Sequence, residues 1–480
     1  MDILTLDCGT TRIKAGLFEI QDKSQLTESG AAAPIKAPLR LWVDKSRTPE
    51  EEQEGIVTNF DRSNLDVDSY LTRVHELIKR IVEELSGEGV RIECLCVTAC
   101  CPALVALDSH MRPLYSALTH LFRGSQVQAK ELAEKIGRER WLAVTGNLPA
   151  PGGISLTALQ WLAANRPRVA SEAAHWVHLH ALILYSLTGN LVTDPTQASY
   201  TGLYDVPNAG GWLDESWLEQ FGVRREQLPE VRPSDSFAGR ITVEAAARTG
   251  LGEGIPVVTG GADVPTALTA AEELLPDSAL NMSGTTEIVA ASCTTFPTPG
   301  GGFLLRPHMA AGRWAVAKIS PIGGQTLIWF YDRFCRDMSP GRFWDWVLRL
   351  DVEVERLVED QMVAEEPGEV VEFAPFLFGS RHDLSPRRAS FTGLTADTTR
   401  EDMLCAVLAA YRRWLHEASQ EVAAAVGRPL YRVVTSGGYD ISSLGFHRRA
   451  AFNRSSLTPI EAAVLRGAAI LAARALEKES

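Results

Sequence analysis

No uninterrupted apolar run comes near the roughly 20 residues that a membrane-spanning helix needs. Positive charge is not in excess either: 480 residues hold 47 Lys and Arg against 60 Asp and Glu, a formal net charge of −13. Proteins that grip a phosphate backbone draw affinity from clustered Lys and Arg, so neither a nucleic-acid partner nor a membrane is expected. Cysteine is sparse. Eight unevenly spaced residues do not form the framework of a small secreted domain, and reduced thiols are the expectation. The N-terminal MDILTLDCGT lacks a basic segment, a long apolar core and a cleavage site, which points to a cytoplasmic protein. Two familiar nucleotide loops are missing as well. No Gly-x-Gly-x-x-Gly follows the first strand-like run and no Walker A sequence occurs, which argues against a Rossmann dehydrogenase and against that phosphate loop.

What is present is ordinary for a globular chain: 45% hydrophobic and 22% charged residues. The length asks for two or three compact units. ILTLD and IKAGLFEI read as strands joined by a turn of Gly9, Thr10 and Thr11. Residues 65–86 carry Leu71, Val74, Leu77, Ile78, Ile81 and Leu85 on one face, which predicts a helix. Ile92 to Val97 reads as a buried strand. Helices are expected over about 124–137, 155–164 and 178–188, the last stopping at Gly189. GIPVVTGGAD (254–263) reads as a strand followed by a Gly-rich turn, and ALNMSGTTEIVAAS (279–292) as a second hairpin. YRVVTSGGYD (431–440) is another strand-to-glycine junction. A closing helix over about 459–476, rich in Ala and with Gly467, suggests close packing on a sheet. The polar, acidic stretch 44–64 reads as an exposed loop.

LTLDCGTTRIKAGLF and LNMSGTTEIVAAS share the pattern strand, Gly-Thr-Thr, strand. Either the chain is duplicated, with one such turn heading each half, or a short motif has recurred by chance. A tight turn of Gly and hydroxyl residues aims backbone N–H groups and Oγ atoms one way, which suits phosphate oxygens. Asp7, just before the first turn, is suited to Mg²⁺ held directly or through water, and Lys14 across the hairpin to offsetting phosphate charge. In VVTGGAD, Asp263 follows a buried strand and precedes an apolar helix. It is placed to take a proton from a substrate hydroxyl or to cap that helix, with Pro265 in the first turn.

Together these segments resemble the FGGY family of carbohydrate kinases, in the actin/hexokinase/Hsp70 superfamily, with a pattern closest to xylulokinase-like members. LDCGTTRIKAG resembles the first phosphate motif, VTGNLPAPGGISLTALQWL the family's T-G-N…P segment, VVTGGADVPTAL the catalytic Asp motif, MSGTTEIVAAS the second phosphate motif and TSGGYD the adenosine motif. ASFTGLTADTTREDMLCAV (389–407) supplies a family signature. The resemblance implies an α/β fold of two duplicated ribonuclease H-like, actin-like ATPase domains, expected over 1–250 and 251–480, with a nucleotide cleft between them. It implies a kinase using ATP and Mg²⁺ on a small-molecule carbohydrate, and leaves a homodimer open. Asp263 would be the general base. Gly9, Thr10, Thr11, Lys14, Gly284, Thr285 and Thr286 would cradle phosphates, Asp7 and Asp263 would organise the metal, and Gly323, Gly324, Gly437 and Gly438 would wall the adenosine.

Departures fall on the substrate side. Where many relatives have Gln-x-His this chain has Cys100-Cys101-Pro102-Ala103, and for Trp-x-Asp-x-Arg it keeps only Arg123, preceded by His120, Leu121 and Phe122. Ser380, Arg381, His382 and Asp383 replace a Glu-Arg-x-Pro segment. Cys100, Cys101, His120, Arg123, Arg381, His382 and Asp383 are therefore the candidate substrate contacts, beside Asp263. Lost hydroxyl partners imply a changed substrate rather than a looser one. A relative without kinase activity, acting as a nucleotide sensor, is the competing reading. RIECLCVTACCPAL (91–104) also raises a metal or redox centre, but its cysteine spacing fits no standard zinc pattern. Cys94 and Cys96, two apart on a strand, are read as small buried hydrophobes.

Overall fold

The first hairpin forms where the alternation predicts it. Strands β1 (Asp2–Cys8) and β2 (Ile13–Glu19) pair antiparallel around the turn, with Asp7 opposite Lys14. The computed structural model describes residues 1–10, 12–20, 38–44, 63–284, 286–300, 302–363, 371–377, 379, 384–385, 387–437 and 455–479. Further strands are β3 (Arg40–Val43), β4 (Ile92–Ala99), β5 (Phe237–Arg240) and β6 (Pro256–Ala262). They build one six-stranded sheet in the order β5-β6-β4-β1-β2-β3. The second comprises β7 (Ala279–Ser283), β8 (Glu287–Cys293), β9 (Leu304–Pro307), β10 (Trp314–Ile319), β11 (Arg432–Gly437) and β12 (Ser456–Pro459). Its order is β9-β10-β8-β7-β11-β12.

Five strands of each sheet follow one plan. In β3-β2-β1-β4-β6 and in β10-β8-β7-β11-β12, two antiparallel pairings lead to a central strand, and two parallel pairings follow. The two Gly-Thr turns occupy the same place, between the central strand and its antiparallel neighbour. Duplication, not chance recurrence, accounts for the paired motifs. Strand β6 lies in the first sheet although it follows residue 250. We therefore propose a domain boundary after β6 in place of 250/251.

Helix α1 (Val67–Ser86) buries Val74, Leu77, Ile78, Ile81 and Leu85 as its spacing predicts, with Asp66 capping its N-terminus through Ser69 N–H. The helices at Gln126–Ile136, Leu156–Asn165 and Leu179–Thr188 lie where the pattern places them. A smaller four-stranded sheet of Asn64–Leu65, Ala117–Thr119, Ala103–Leu107 and His175–His178 adjoins an aromatic core around Trp141, Trp217 and Phe221. Among the described residues no helix is long and apolar enough to cross a membrane.

Two sequence expectations change. Gly260 and Gly261 are not a turn: they lie inside β6, where the register shifts between Val258 and Gly261. The stretch 44–64 is not uniformly exposed. Asp44 is buried, because Arg73 and the Ile13 N–H hold its carboxylate; residues 45–62 lie outside the described set.

Two long-range helices join the sheets. Helix α2 (Asp263–Leu274) leaves the end of β6 and packs on β7 and β8 of the second sheet. Helix α3 (Ala463–Glu479) follows β12 and lies on β1, β2, β4 and β6 of the first. Its Ala468, Ala472 and Ala475 pack with Cys94 and Cys96, so these thiols fill the shallow space under an Ala-rich helix. The sequence places Gly467 against a sheet, whereas it meets the other helix. A Cβ there would stand 2.0 Å from the Thr266 carbonyl oxygen.

That clash is with backbone and has no rotamer to relieve it. G467A is expected to lower unfolding free energy by about 1–3 kcal/mol, the usual cost of overpacking, as measured by urea denaturation. An unchanged midpoint would show that the helices do not approach this closely.

Candidate active site

The first phosphate-type turn is braced from three elements. Gly9 N–H closes on Arg12 O at 3.1 Å. Tyr70, from the buried face of α1, donates its hydroxyl to Gly9 O at 2.8 Å. Cys100 N–H donates to Cys8 O at 3.1 Å. The far side is held by Asp44, which accepts from Ile13 N–H at 2.9 Å and from Arg73 Nε at 2.9 Å. Burial pushes the Asp7 carboxyl up, and the Lys14 ammonium across the hairpin pulls it back.

The second turn is tied to the glycines expected to wall the adenosine. Gly284 N–H closes on Thr286 O at 3.0 Å, and Gly324 N–H donates to Gly284 O at 3.1 Å. Gly323 precedes, and Gly324 begins, the helix Gly324–Phe334. Gly437 pairs with Ser283 at the end of β7, and a Cβ on it would fall 1.7 Å from Ser283 O. Only glycine allows this strand end to approach so closely. Gly284, Thr286, Gly323, Gly324 and Gly437 thus converge. Thr11, Thr285, Gly438, Ser380, Arg381, His382 and Asp383 lie outside the described residues.

Behind this turn lies a carboxylate that pattern reading passed over. Glu287 is 1% exposed and accepts from Asn281 Nδ2 at 2.5 Å, Ser283 Oγ at 2.5 Å and the Tyr411 hydroxyl. Tyr411 belongs to the helix Arg400–Val426, which the 389–407 signature opens with a Thr399–Asp402 capping box. A buried charge is tolerable when its lone pairs are met by donors. Here those donors couple the turn to the longest helix described.

Asp263 is the first residue of α2, with Ala262 as the cap, and its Oδ1 takes the Val264 N–H at 2.8 Å. The cap position thus falls on Ala262, which has no side-chain acceptor, and Asp263 lies one residue inside the helix. The carboxylate stands where the helix dipole favours negative charge. Beside it lie Cys100 and Cys101: burial first, then the charges of Asp263 and Asp7, push the Cys100 thiol up. Two carboxylates from β1 and α2 thus act on one point. Among the described residues no three His, Cys, Asp or Glu side chains form a metal cluster. That donor set fits Mg²⁺, which takes one or two carboxylates and fills its octahedron with water and phosphate oxygens.

The residues expected to face the acceptor are packed against polar partners. Cys101 Sγ lies 3.4 Å from His178 Nδ1, and His178 Nε2 lies 3.0 Å from Ser155 Oγ. Burial pushes the Cys101 thiol well up and pulls His178 down to about 3, so this is a neutral pair rather than an activated nucleophile. Arg123 Nη1 is engaged by the carbonyls of His120, Phe122 and Pro151 and braces the loop that carries half-buried His120.

Three further residues escaped sequence reasoning. Asn147, within the T-G-N segment, donates to Leu305 O and accepts from Leu305 N–H, both at 3.0 Å, clamping β9 to the first half of the chain. Arg306, one residue on, reaches Gly153 O at 3.1 Å and stacks over Tyr200 at 3.8 Å. The only sequence signal for Arg306 is a lone charge in the apolar run FLLRP. For Tyr70 there is none, since it reads as one more member of an apolar stripe.

Two sheets of one plan, each with a Gly-Thr turn beside its central strand and each sending its last helix across to the other sheet, define an actin-like ATPase fold. The comparisons with known proteins agree. The sequence profile of the "FGGY family of carbohydrate kinases, N-terminal domain" matches residues 2–270. The xylulose kinase of Lactococcus lactis subsp. lactis (strain IL1403) is 24% identical over 438 residues, covering 91% of this chain and 80% of that protein. The autoinducer-2 kinase of Salmonella paratyphi A (strain ATCC 9150 / SARB42) is 23% identical over 369 residues, 76% of this chain, and the match spans 64% of that relative's length. Among solved structures, a "xyloylose kinase from Brucella ovis" superposes with a TM-score of 0.77 at 20% identity, covering 100% of this chain and 91% of that one. The chain belongs to the FGGY family of carbohydrate kinases.

Two outcomes follow from this geometry. Y70F removes the hydroxyl that holds Gly9 and is expected to cost about 1 kcal/mol of stability, while raising the KM for ATP several-fold in steady-state assays. The second concerns acid. His178 binds its proton near 6.5 when unfolded but only near about 3 when folded, so protons favour the unfolded chain. Its contribution is intact above pH 6.5 and is lost progressively as pH falls toward 3, amounting to about 2 kcal/mol at pH 5. H178Q should flatten that part of a stability-versus-pH curve; an equally steep curve in the variant would assign the loss to other groups.

Proposed function

We propose that the chain transfers the γ-phosphoryl group of ATP to a hydroxyl of a small carbohydrate, with Asp263 as general base. The observation that carries this reading is the position of Asp263: it starts a helix at a strand end, beside an enclosed wall, in a fold that repeats a phosphate-binding turn. The carboxylate accepts the hydroxyl proton as the acceptor oxygen bonds to the γ-phosphorus, and the bond to the β-phosphate oxygen breaks to release ADP. Backbone N–H groups of the Gly9–Thr10 and Gly284–Thr286 turns would hold the phosphates, and Gly323, Gly324 and Gly437 the adenosine. Asp7, with Asp263 beside it, would hold Mg²⁺, which when bound offsets phosphate charge. Because phosphoryl transfer needs positioning more than covalent help, bracing of the turns by Tyr70, Asp44 and Glu287 matters directly to rate.

Relatives named for xylulose and autoinducer-2 support a small polyhydroxylated acceptor. Cys100 and Cys101, in place of hydrogen-bonding groups, support an acceptor unlike a simple pentulose or glycerol.

D263N keeps the shape of the site and removes the base. Acceptor-dependent ADP formation is expected to fall about 10²–10⁴-fold, with nucleotide affinity within a few-fold of wild type by calorimetry. Full acceptor-dependent turnover in D263N would sink the mechanism.

A further inference from the structure

Arg306 is a charge placed where burial makes charge most costly. It sits in β9, at the edge of the second sheet, and is 1% exposed. The contacts that hold it are neutral: Nη1 donates to Leu305 O at 3.0 Å, Nη2 to Gly153 O at 3.1 Å, and the guanidinium lies 3.8 Å over the Tyr200 ring. A guanidinium has five N–H donors, and the Nε–H is buried without a hydrogen-bond partner among the described residues. Such a group is expensive unless an anion completes it.

Its surroundings place it in the acceptor site. The charges of Arg306 and of Asp263 both act on the same two side chains, Cys101 and Tyr200. Asn147 clamps β9 to the lobe that carries Asp263, so the guanidinium is delivered across the seam between the two sheets. Cys100, Cys101 and Val264, buried around it or beside Asp263, offer little to a neutral polyol. Among the described residues no ion pair joins Arg306 to a carboxylate, and the nearby groups that act on its charge are Tyr200 and Cys101.

We propose that Arg306 is a specificity-determining residue and that the acceptor carries an oxyanion group, a carboxylate or a phosphate, which Arg306 reads while Asp263 deprotonates a hydroxyl. This rests on the kinase reading and narrows its substrate class to sugar acids or sugar phosphates. It also explains the altered wall: an acceptor anchored through one charge-assisted contact needs fewer hydroxyl partners.

The test is ADP release by the full chain with ATP and Mg²⁺ over matched sets of acceptors: neutral aldoses and ketoses, their aldonates and uronates, and their monophosphates. The expected result is a kcat/KM for one anionic class at least about 100-fold above its neutral parent. Carboxylates leading, or phosphates leading, each supports the inference and identifies the oxyanion. R306M should lower kcat/KM for that acceptor about 100-fold, mainly through KM, and R306K, which keeps the charge, should recover part of it. A neutral parent that equals or beats its anionic forms overturns the inference while leaving the kinase reading intact, and this wild-type comparison stands whether or not R306M folds. Equal losses for neutral and anionic acceptors in a folded R306M also overturn it. No stimulation by any acceptor overturns the kinase reading itself.

Discussion

The close crossing of α2 and α3, with Gly467 against the Thr266 carbonyl, is the constraint on which the rest of the structure depends. Asp263 starts α2, and Thr266 lies less than one turn along it. Each helix continues one sheet and packs on the other, so the crossing ties both sheets to the orientation of the candidate base. The first sheet presents Cys94 and Cys96 to α3, and the second presents Leu280, Ile288 and Val434 to the cluster that includes α2. Small residues on α3 are what let the two helices approach, and interiors packed this densely do not tolerate an added methyl without movement.

Around that seam, polar groups are used sparingly and in different ways. Asp44 and Glu287 are buried carboxylates with several donors each, one behind each turn, and they serve to hold backbone in place. Cys101 and His178 are kept neutral by burial and serve as packing. Arg306 is a buried charge held by carbonyls and a ring face. Asp263 and Asp7 stand between these extremes, close enough to Cys100 for both to raise its pKa. A site that excludes water strengthens every remaining electrostatic interaction, and exclusion also keeps water from competing with the acceptor hydroxyl.

Much of this was legible in the sequence because it is local. The two hairpins and the stripe of α1 depend on residues near each other along the chain and fall where their pattern put them, whereas the closing helix, expected from about 459, begins at Ala463 because Ser456–Pro459 joins the second sheet as β12. Asp263 was legible because strand, glycines, carboxylate and helix are contiguous. Misreadings arose where a partner lies far away. Gly260 and Gly261 look like a turn until β4 is seen beside them, and Asp44 looks solvated until Arg73 from α1 reaches it. Gly467 reads as sheet packing because nothing nearby in sequence reveals Thr266. Glu287, Asn147 and Arg306 carry no periodic signal: Asn147 and Arg306 act across the seam, and Glu287 depends on the distant Tyr411. The stretch RIECLCVTACCPAL divides in the same way: Cys94 and Cys96 were legible as strand-face hydrophobes, while the setting of Cys100 and Cys101 needed His178, Asp263 and Arg306.

The central claim is that the duplicated turns and Asp263 form one phosphoryl-transfer site. Its most direct test is a crystal structure of the chain with Mg²⁺ and a non-hydrolysable ATP analogue. The account predicts the phosphates between the Gly9–Thr10 and Gly284–Thr286 turns, adenosine against Gly324 and Gly437, and the terminal phosphate facing the Asp263 carboxylate. A nucleotide bound elsewhere, or one whose terminal phosphate points away from Asp263, would contradict it.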